Sequence, residues 1–262
     1  ERERRVSHPD PMHMSNNPHC WQADQRIHDG SRPYESKTDL EFTRIIDHKN
    51  AHSAGYRRRK GEDKTVLHWG QRKLLLAEIE FLTERAVKGR EQTIVYAGGA
   101  PGTHIQYMAK MFPELKFILV DPSPFTVKET ENIVCRQELF TDELAKQFST
   151  GFDPPVIFMS DIRSTDWEIE DDQKVEEQCQ DDMDAQMRWH KMINPHCSML
   201  KFRLSWKPGT TTYLKGDIYI QPWAPITSSE TRLWTPIDGK SETAEYDNER
   251  YENQCFYYNT IT

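Results

Sequence analysis

The chain has 262 residues, with 34 Lys and Arg against 42 Asp and Glu, a formal charge of -8 and 36% hydrophobic side chains. That length suits one sizeable domain with extensions and is ample to bury a core, while a charged fraction of 29% leaves some segments too polar to pack. No apolar run approaches the length of a bilayer-spanning helix, and five scattered cysteines without a CxxC pair argue against a disulfide framework.

Residues 1–63 show no sustained period and read as an extended or partly disordered N-terminal arm. His8, His13, His19 and Cys20 match no zinc spacing, and a basic knot follows at Arg57, Arg58, Arg59 and Lys60. From Gln71 the pattern changes. Leu74, Leu75, Leu76, Ile79, Phe81 and Leu82 recur on a helical period with Lys73, Glu78 and Glu84 between them, which predicts an amphipathic helix. Thr93–Ala97 is a β-rich run that ends in glycines and leads into a helix to about Met111. Lys116–Asp121 and Val156–Asp161 read as buried strands, separated by the helix-like Asp142–Phe148. Ser198–Arg203, Asp217–Gln221 and Cys255–Tyr258 complete the expected strands. Strands alternating with helices predict an α/β fold with a mostly parallel central sheet covered on both faces. Residues 166–184 hold ten acidic side chains in no ordered ligand pattern, and read as a solvated loop and helix start.

The sharpest local feature is Tyr96-Ala97-Gly98-Gly99-Ala100-Pro101-Gly102-Thr103-His104, a glycine turn between a strand and a helix. Such a turn lets a ligand approach backbone N–H groups. About twenty residues on, Asp121 ends the next strand, where a carboxylate grips ribose hydroxyls. No GK[ST] follows and the spacing is not GxGxxG, so phosphoryl and hydride transfer are both disfavoured against an S-adenosylmethionine site. An ordinary αβ turn remains the alternative. Asp161 closes one apolar strand and Lys201 sits inside another. A lysine there either reaches the sheet's carboxyl edge, beside the ligand crevice, or lies on an edge strand facing water, and the sequence leaves both open. Aromatic and basic residues mingle at Trp206, Lys207, Tyr213, Lys215, Tyr219, Trp223, Arg232 and Trp234. One or two of these would suit base stacking, and the rest core.

Several blocks stand in order: Gln71-Arg72-Lys73-Leu74-Leu75-Leu76, Ala100-Pro101-Gly102-Thr103-His104-Ile105, Ser160-Asp161-Ile162-Arg163-Ser164, Asn194-Pro195, Leu200-Lys201, Gln221-Pro222-Trp223-Ala224-Pro225 and Ser229-Glu230-Thr231-Arg232. Over about 64–259 the chain resembles the poxvirus cap-specific mRNA 2'-O-methyltransferases, which also serve as processivity subunits of the viral poly(A) polymerase. The resemblance implies a Rossmann-like methyltransferase domain over 64–262, with a cap-binding C-terminal part. It implies a catalytic tetrad of Lys73, Asp161, Lys201 and Glu230, in which Lys201 takes the proton from a ribose 2'-hydroxyl and the two acids orient the lysines. The implied methyl donor is S-adenosylmethionine, contacted by Gln71, Tyr96, Gly98, Gly102, His104, Asp121 and Arg163, with no metal. His104 by itself reads as a helix-capping or surface histidine. A cap pocket of Trp206, Glu252 and Tyr56 is implied in the same way. The family's second cap-reading acid falls on Pro208 here, and its basic residue after the ribose-binding acid falls on Ser123.

The implied partners are the capped 5' end of mRNA, a poly(A) polymerase catalytic subunit and other capping enzymes, in the host cytoplasm or the virion. The alternatives are an FtsJ-like ribosomal RNA 2'-O-methyltransferase and a non-catalytic RNA-binding polymerase subunit. The acidic balance does not exclude RNA. Without the ten acids and one base (Lys174) of 166–184 the charge of -8 becomes +1, and affinity follows the local groove rather than the total.

Overall fold

The computed structural model describes residues 44–57, 69–164, 172–222, 224–237 and 240–261, and only the backbone of 69–71, 172 and 261. Most of the N-terminal arm, including His8, His13, His19 and Cys20, lies outside the described residues, as do Trp223 and the first part of the acidic run.

The elements are β1 (Ile45–Ile46), α1 (Trp69–Arg85), β2 (Gln92–Ala97), α2 (Ile105–Met111), β3 (Leu115–Val120), β4 (Ile133–Arg136), α3 (Asp142–Gln147), β5 (Ile157–Ser160), α4 (Asp172–Ile193), β6 (Cys197–Phe202), β7 (Thr210–Leu214), β8 (Asp217–Tyr219), β9 (Thr231–Trp234), β10 (Thr243–Asp247) and α5 (Asn248–Ile261). Eight strands form one sheet in the order β1-β8-β9-β6-β5-β2-β3-β4, and β7 pairs with β10 in a separate ribbon. The strands from β4 across to β6 run parallel, while β9, β8 and β1 continue the sheet antiparallel. The expected α/β class and mostly parallel central sheet therefore hold, the sheet being mixed.

Side chains alternate between two cores, as the pleat requires. Ile94 and Tyr96 face the layer that holds Ala77, Phe81, Ile105 and Met108 of α1 and α2. Val95 and Ala97 face the layer of Leu144, Met183, Trp189, Ile193 and Tyr251 from α3, α4 and α5. The order in which strands are added reverses between β2 and β5, since β3 and β4 lie to one side and β6 to the other. At such a switch point the loops after neighbouring strands part and leave a crevice at the carboxyl edge.

One expected strand is a helix. Cys255–Tyr258 reads as β-rich from its aromatics, yet it belongs to the 14-residue α5. Asp247 accepts from the Arg250 amide (2.8 Å) at the helix start, and Tyr251 and Cys255, four apart, are both buried on one face. Local capping and a helical buried stripe outweigh strand propensity there. Strands β4, β7, β9 and β10 are not apparent in the sequence, β4 being too short and the others short and polar or threonine-bearing, so that cross-strand packing decides them.

Candidate functional site

The glycine turn is built by packing. Gly98 has a positive φ of 80°, and a Cβ there would come within 2.8 Å of the Asp161 carbonyl carbon and the Ile162 nitrogen. The turn after β2 thus touches the end of β5 at the switch point, and the Asp161 amide donates to the Ala97 carbonyl (3.0 Å). Gly102, at φ 69°, meets Val127 in the same way. Asp121 fastens the far side: its carboxylate accepts from the Ala100 amide (3.1 Å) and the Ser123 amide (2.8 Å). The half-buried Asp121 keeps acceptor capacity, since a carboxylate offers about four lone-pair sites.

Beside this turn the structure gathers the charged residues singled out in the sequence. Lys201, on β6, directs Nζ to Asp161 Oδ1 at 3.1 Å and to Glu230 Oε2 at 3.9 Å. Lys73, on α1, lies 3.5 Å from Glu230 Oε1. Lys201 therefore reaches the carboxyl edge, which decides between the two readings left open by the sequence. Two arginines complete the cluster. Arg163 lies 2.8 Å from Glu230 Oε2, and Arg232, opposite Lys201 in the β6–β9 register, bridges both acids, with Nη2 2.8 Å from Asp161 and Nη1 3.2 Å from Glu230. Arg232 is only 1% exposed.

Four cationic side chains thus face two carboxylates. Burial alone would raise the Glu230 carboxyl, but Arg232, Lys201, Lys73 and Arg163 outweigh it and hold this acid well below the ordinary carboxylate range. Burial pushes the Lys73 ammonium down, with Glu230 opposing and Arg232 assisting. A site with surplus positive charge and little water favours loss of a proton from one of its amines and attracts an anionic group.

Tyr96 and His104 are brought to the same edge, but their polar atoms face inward. Tyr96 donates to Glu78 Oε1 (2.7 Å), and His104 Nε2 lies 2.8 Å from Glu78 Oε2. Glu78, grouped in the sequence with the polar residues of an amphipathic helix, is 0% exposed. The side chain of Gln71 lies outside the described residues.

A cavity of about 200 Å³ opens beside the cluster and runs to Trp206, with Arg163, Cys179, Lys201, Arg203 and Glu230 on its walls. Trp206 is half-exposed, whereas Tyr213, Tyr219 and Trp234 are buried, so most of the mingled aromatics are core. The Arg203 guanidinium stacks over the Trp206 ring, 4.0 Å from its centroid. Glu176 of α4 pairs with Arg203 and accepts from the Trp206 amide (3.0 Å), fixing the loop after β6. Burial raises the carboxyl of Glu252, with Arg203 opposing. Tyr56 donates its amide to Asn253 (2.9 Å) and rests edge-on against Phe256, so it lies on the helix that bears Glu252. Glu78, Glu176 and the bridging role of Arg232 escape sequence reasoning. A charged residue on an otherwise apolar helix face is the one signal that Glu78 offers.

Residues 36–262 match the family model described as poly A polymerase regulatory subunit. The cap-specific mRNA (nucleoside-2'-O-)-methyltransferase of myxoma virus (strain Lausanne) is 30% identical over 218 residues, covering 76% of this chain and 62% of that protein. The fowlpox virus (strain NVSL) protein of the same name is 30% identical over 222 residues, covering 73% of this chain and 67% of that protein. The chain thus spans about 62% of the length of the myxoma virus relative. Among solved structures, bluetongue virus VP4, described as a multifunctional RNA-capping production line, overlays 79% of this chain and 33% of its own at 14% identity and a TM-score of 0.49. With its family model matched from residue 36 to the last residue, this chain belongs to the poly(A) polymerase regulatory subunit family.

Proposed function

We propose that the protein transfers a methyl group from S-adenosylmethionine to the ribose 2'-hydroxyl of the first transcribed nucleotide of N7-methylguanosine-capped mRNA. The observation that carries this reading is the meeting of Lys73, Asp161, Lys201 and Glu230 within ion-pair distance at the carboxyl edge, beside the glycine turn. The names of the poxvirus relatives support the same substrate.

The residues present fit the cofactor. The turn from Gly98 to Gly102 and the half-buried Asp121 would hold its nucleoside, with Gln71, Tyr96, His104 and Arg163 around them. When bound, S-adenosylmethionine supplies a methyl group already activated on a sulfonium. The protein's own part is positioning and proton transfer. Lys201, on the cavity wall, meets the 2'-hydroxyl and takes its proton. Asp161 and Arg232 fix the Lys201 amine, and Glu230 joins Lys73 to the cluster. Trp206, Glu252 and Tyr56 form the cap site, in which a methylated, positively charged guanine gains attraction from aromatic faces. This activity would be exercised by a viral protein in the host cytoplasm or the virion.

Incubation with labelled S-adenosylmethionine and capped RNA, with and without the guanine N7 methyl, tests the reading. Wild type methylates the N7-methylated substrate, and Lys201→Ala loses about 10²- to 10⁴-fold in rate. Undiminished turnover in that variant would exclude Lys201 as the base. Trp206→Ala raises KM for capped RNA alone, whereas equal effects on uncapped RNA would favour an FtsJ-like enzyme. The family's description supports a second reading, an RNA-binding processivity subunit of a poly(A) polymerase. Co-purification with a viral polymerase catalytic subunit, and longer tails on its addition, test that role.

A further inference from the structure

A completely buried carboxylate is unfavourable unless its oxygens are matched by donors or a cation. Glu78 is 0% exposed; its Oε1 accepts from the Tyr96 hydroxyl at 2.7 Å, and its Oε2 lies 2.8 Å from His104 Nε2. The three residues come from three different segments. Glu78 lies on α1, Tyr96 near the end of β2, and His104 at the N-cap of α2, where its side chain makes no capping bond. The imidazole therefore does not serve its own helix. It faces another.

Those segments frame the crevice. Glu78 follows Lys73 by five residues, about 7.5 Å along a rigid helix. Tyr96 and His104 bracket the turn that contains Gly98 and Gly102. Burial disfavours a charged His104, but the negative charge of Glu78, with a smaller contribution from Asp161, outweighs it and raises the imidazole's pKa. Burial and Glu78 likewise keep the Tyr96 phenol protonated. The unit is a desolvated carboxylate held between an imidazole and a phenol donor.

We propose that Glu78 is a positioning residue that locks the helix carrying Lys73 to the glycine turn, and that Tyr96 and His104 act in catalysis through it. The proposal rests on the methyltransferase reading above. It makes the distance between the tetrad and the cofactor crevice a property of one buried carboxylate. A packing role alone would require volume at this place, not charge, and an apolar residue of similar size would then satisfy it.

The test compares wild type with Glu78→Gln, Glu78→Leu, Tyr96→Phe and His104→Gln. Three measurements are made: S-adenosylhomocysteine affinity by calorimetry, kcat and KM on capped RNA at saturating cofactor, and thermal melting. Tyr96→Phe and His104→Gln each weaken S-adenosylhomocysteine binding by about three- to tenfold. Glu78→Leu weakens it further and lowers kcat, with KM for RNA unchanged. Glu78→Gln, which still accepts from Tyr96, recovers most of the loss. Variants that melt lower yet keep wild-type affinity and kcat would overturn the positioning role. If Glu78→Leu does not fold, Tyr96→Phe with unaltered affinity and kcat overturns it equally. Wild type that binds no S-adenosylhomocysteine removes the methyltransferase reading and this inference together, whereas wild-type binding with indifferent variants removes the inference alone.

Discussion

Arg232 shows how much one side chain can decide. Its guanidinium is buried, and its two terminal nitrogens reach different acids, Asp161 and Glu230. A planar fork can bridge two carboxylates, and a lysine's single ammonium cannot. Arg232→Lys should keep the charge yet lower methyl transfer by at least about tenfold, measured as kcat on capped RNA, because one acid is released and Lys201 loses its fixed neighbour. The sequence makes Arg232 visible only as a basic residue among aromatics, since its partners come from two other loops. Lys201 and Asp161 were legible because a charged residue inside an apolar strand must be explained. Titration gives a second prediction at this scale. His190, 1% exposed and bonded to Ser198, has its pKa lowered by burial from 6.5 to about 4. Between those values the unfolded chain binds the extra proton, so stability rises with pH across the window and is lost as pH falls through it. The span corresponds to ~3 kcal/mol. Urea melts from pH 4 to 7 should show this slope in wild type and a shallower one in His190→Gln. Glu230, held below its ordinary 4.5, adds a further loss at lower pH.

At the level of elements, the parallel strands were readable and the antiparallel ones were not. β2, β3, β5 and β6 are continuous apolar runs because they are covered on both faces. β9, with a buried arginine, carries no such run, and its place between β6 and β8 is decided by Arg232 meeting acids and by Trp234 stacking on Tyr219 of β8 at 4.4 Å. The helix at Cys255–Tyr258 was misread because aromatic propensity is weak against a cap and a buried face. Lys201 and Asp161 stood out in the sequence and the resemblance supplied Lys73 and Glu230, but the way Glu230 and Asp161 share cations depends on how loops meet, which no local pattern encodes. The glycine turn gives the prediction at this scale. Gly98 is required less for a ligand than for the backbone of Asp161 and Ile162 just after β5, 2.8 Å from where a Cβ would lie. Gly98→Ala should therefore cost on the order of 3 kcal/mol through a positive φ and a backbone clash. Thermal melting would read the loss, and activity would fall with it as the turn is pushed from Asp161. An unchanged melt would mean that the two loops separate freely.

For the molecule as a whole, an overall charge of -8 coexists with a site of four cations and two acids. On the proposed function, contact with RNA should then be local, neutralising about two to four phosphates. Fluorescence anisotropy of capped RNA should accordingly show a shallow slope of log Kd against log salt, about 2 to 4, with weaker binding once the cap is removed. A slope near 10 would mean extended coating of the RNA. The antiparallel half of the sheet ends at β1, which pairs with β8, while His48 just beyond it bonds to Gln254 of α5, 206 residues away in sequence. The Ala54 amide reaches the Asn253 carbonyl at 3.1 Å and seats the same segment on that helix. During synthesis the ribosome delivers this segment before anything it binds. Both of its docking sites, β8 and α5, emerge more than 150 residues later. The parallel strands can assemble while residues 44–57 wait, so closure of this edge comes after translation of α5 and is slowed by the length of the loop it must close.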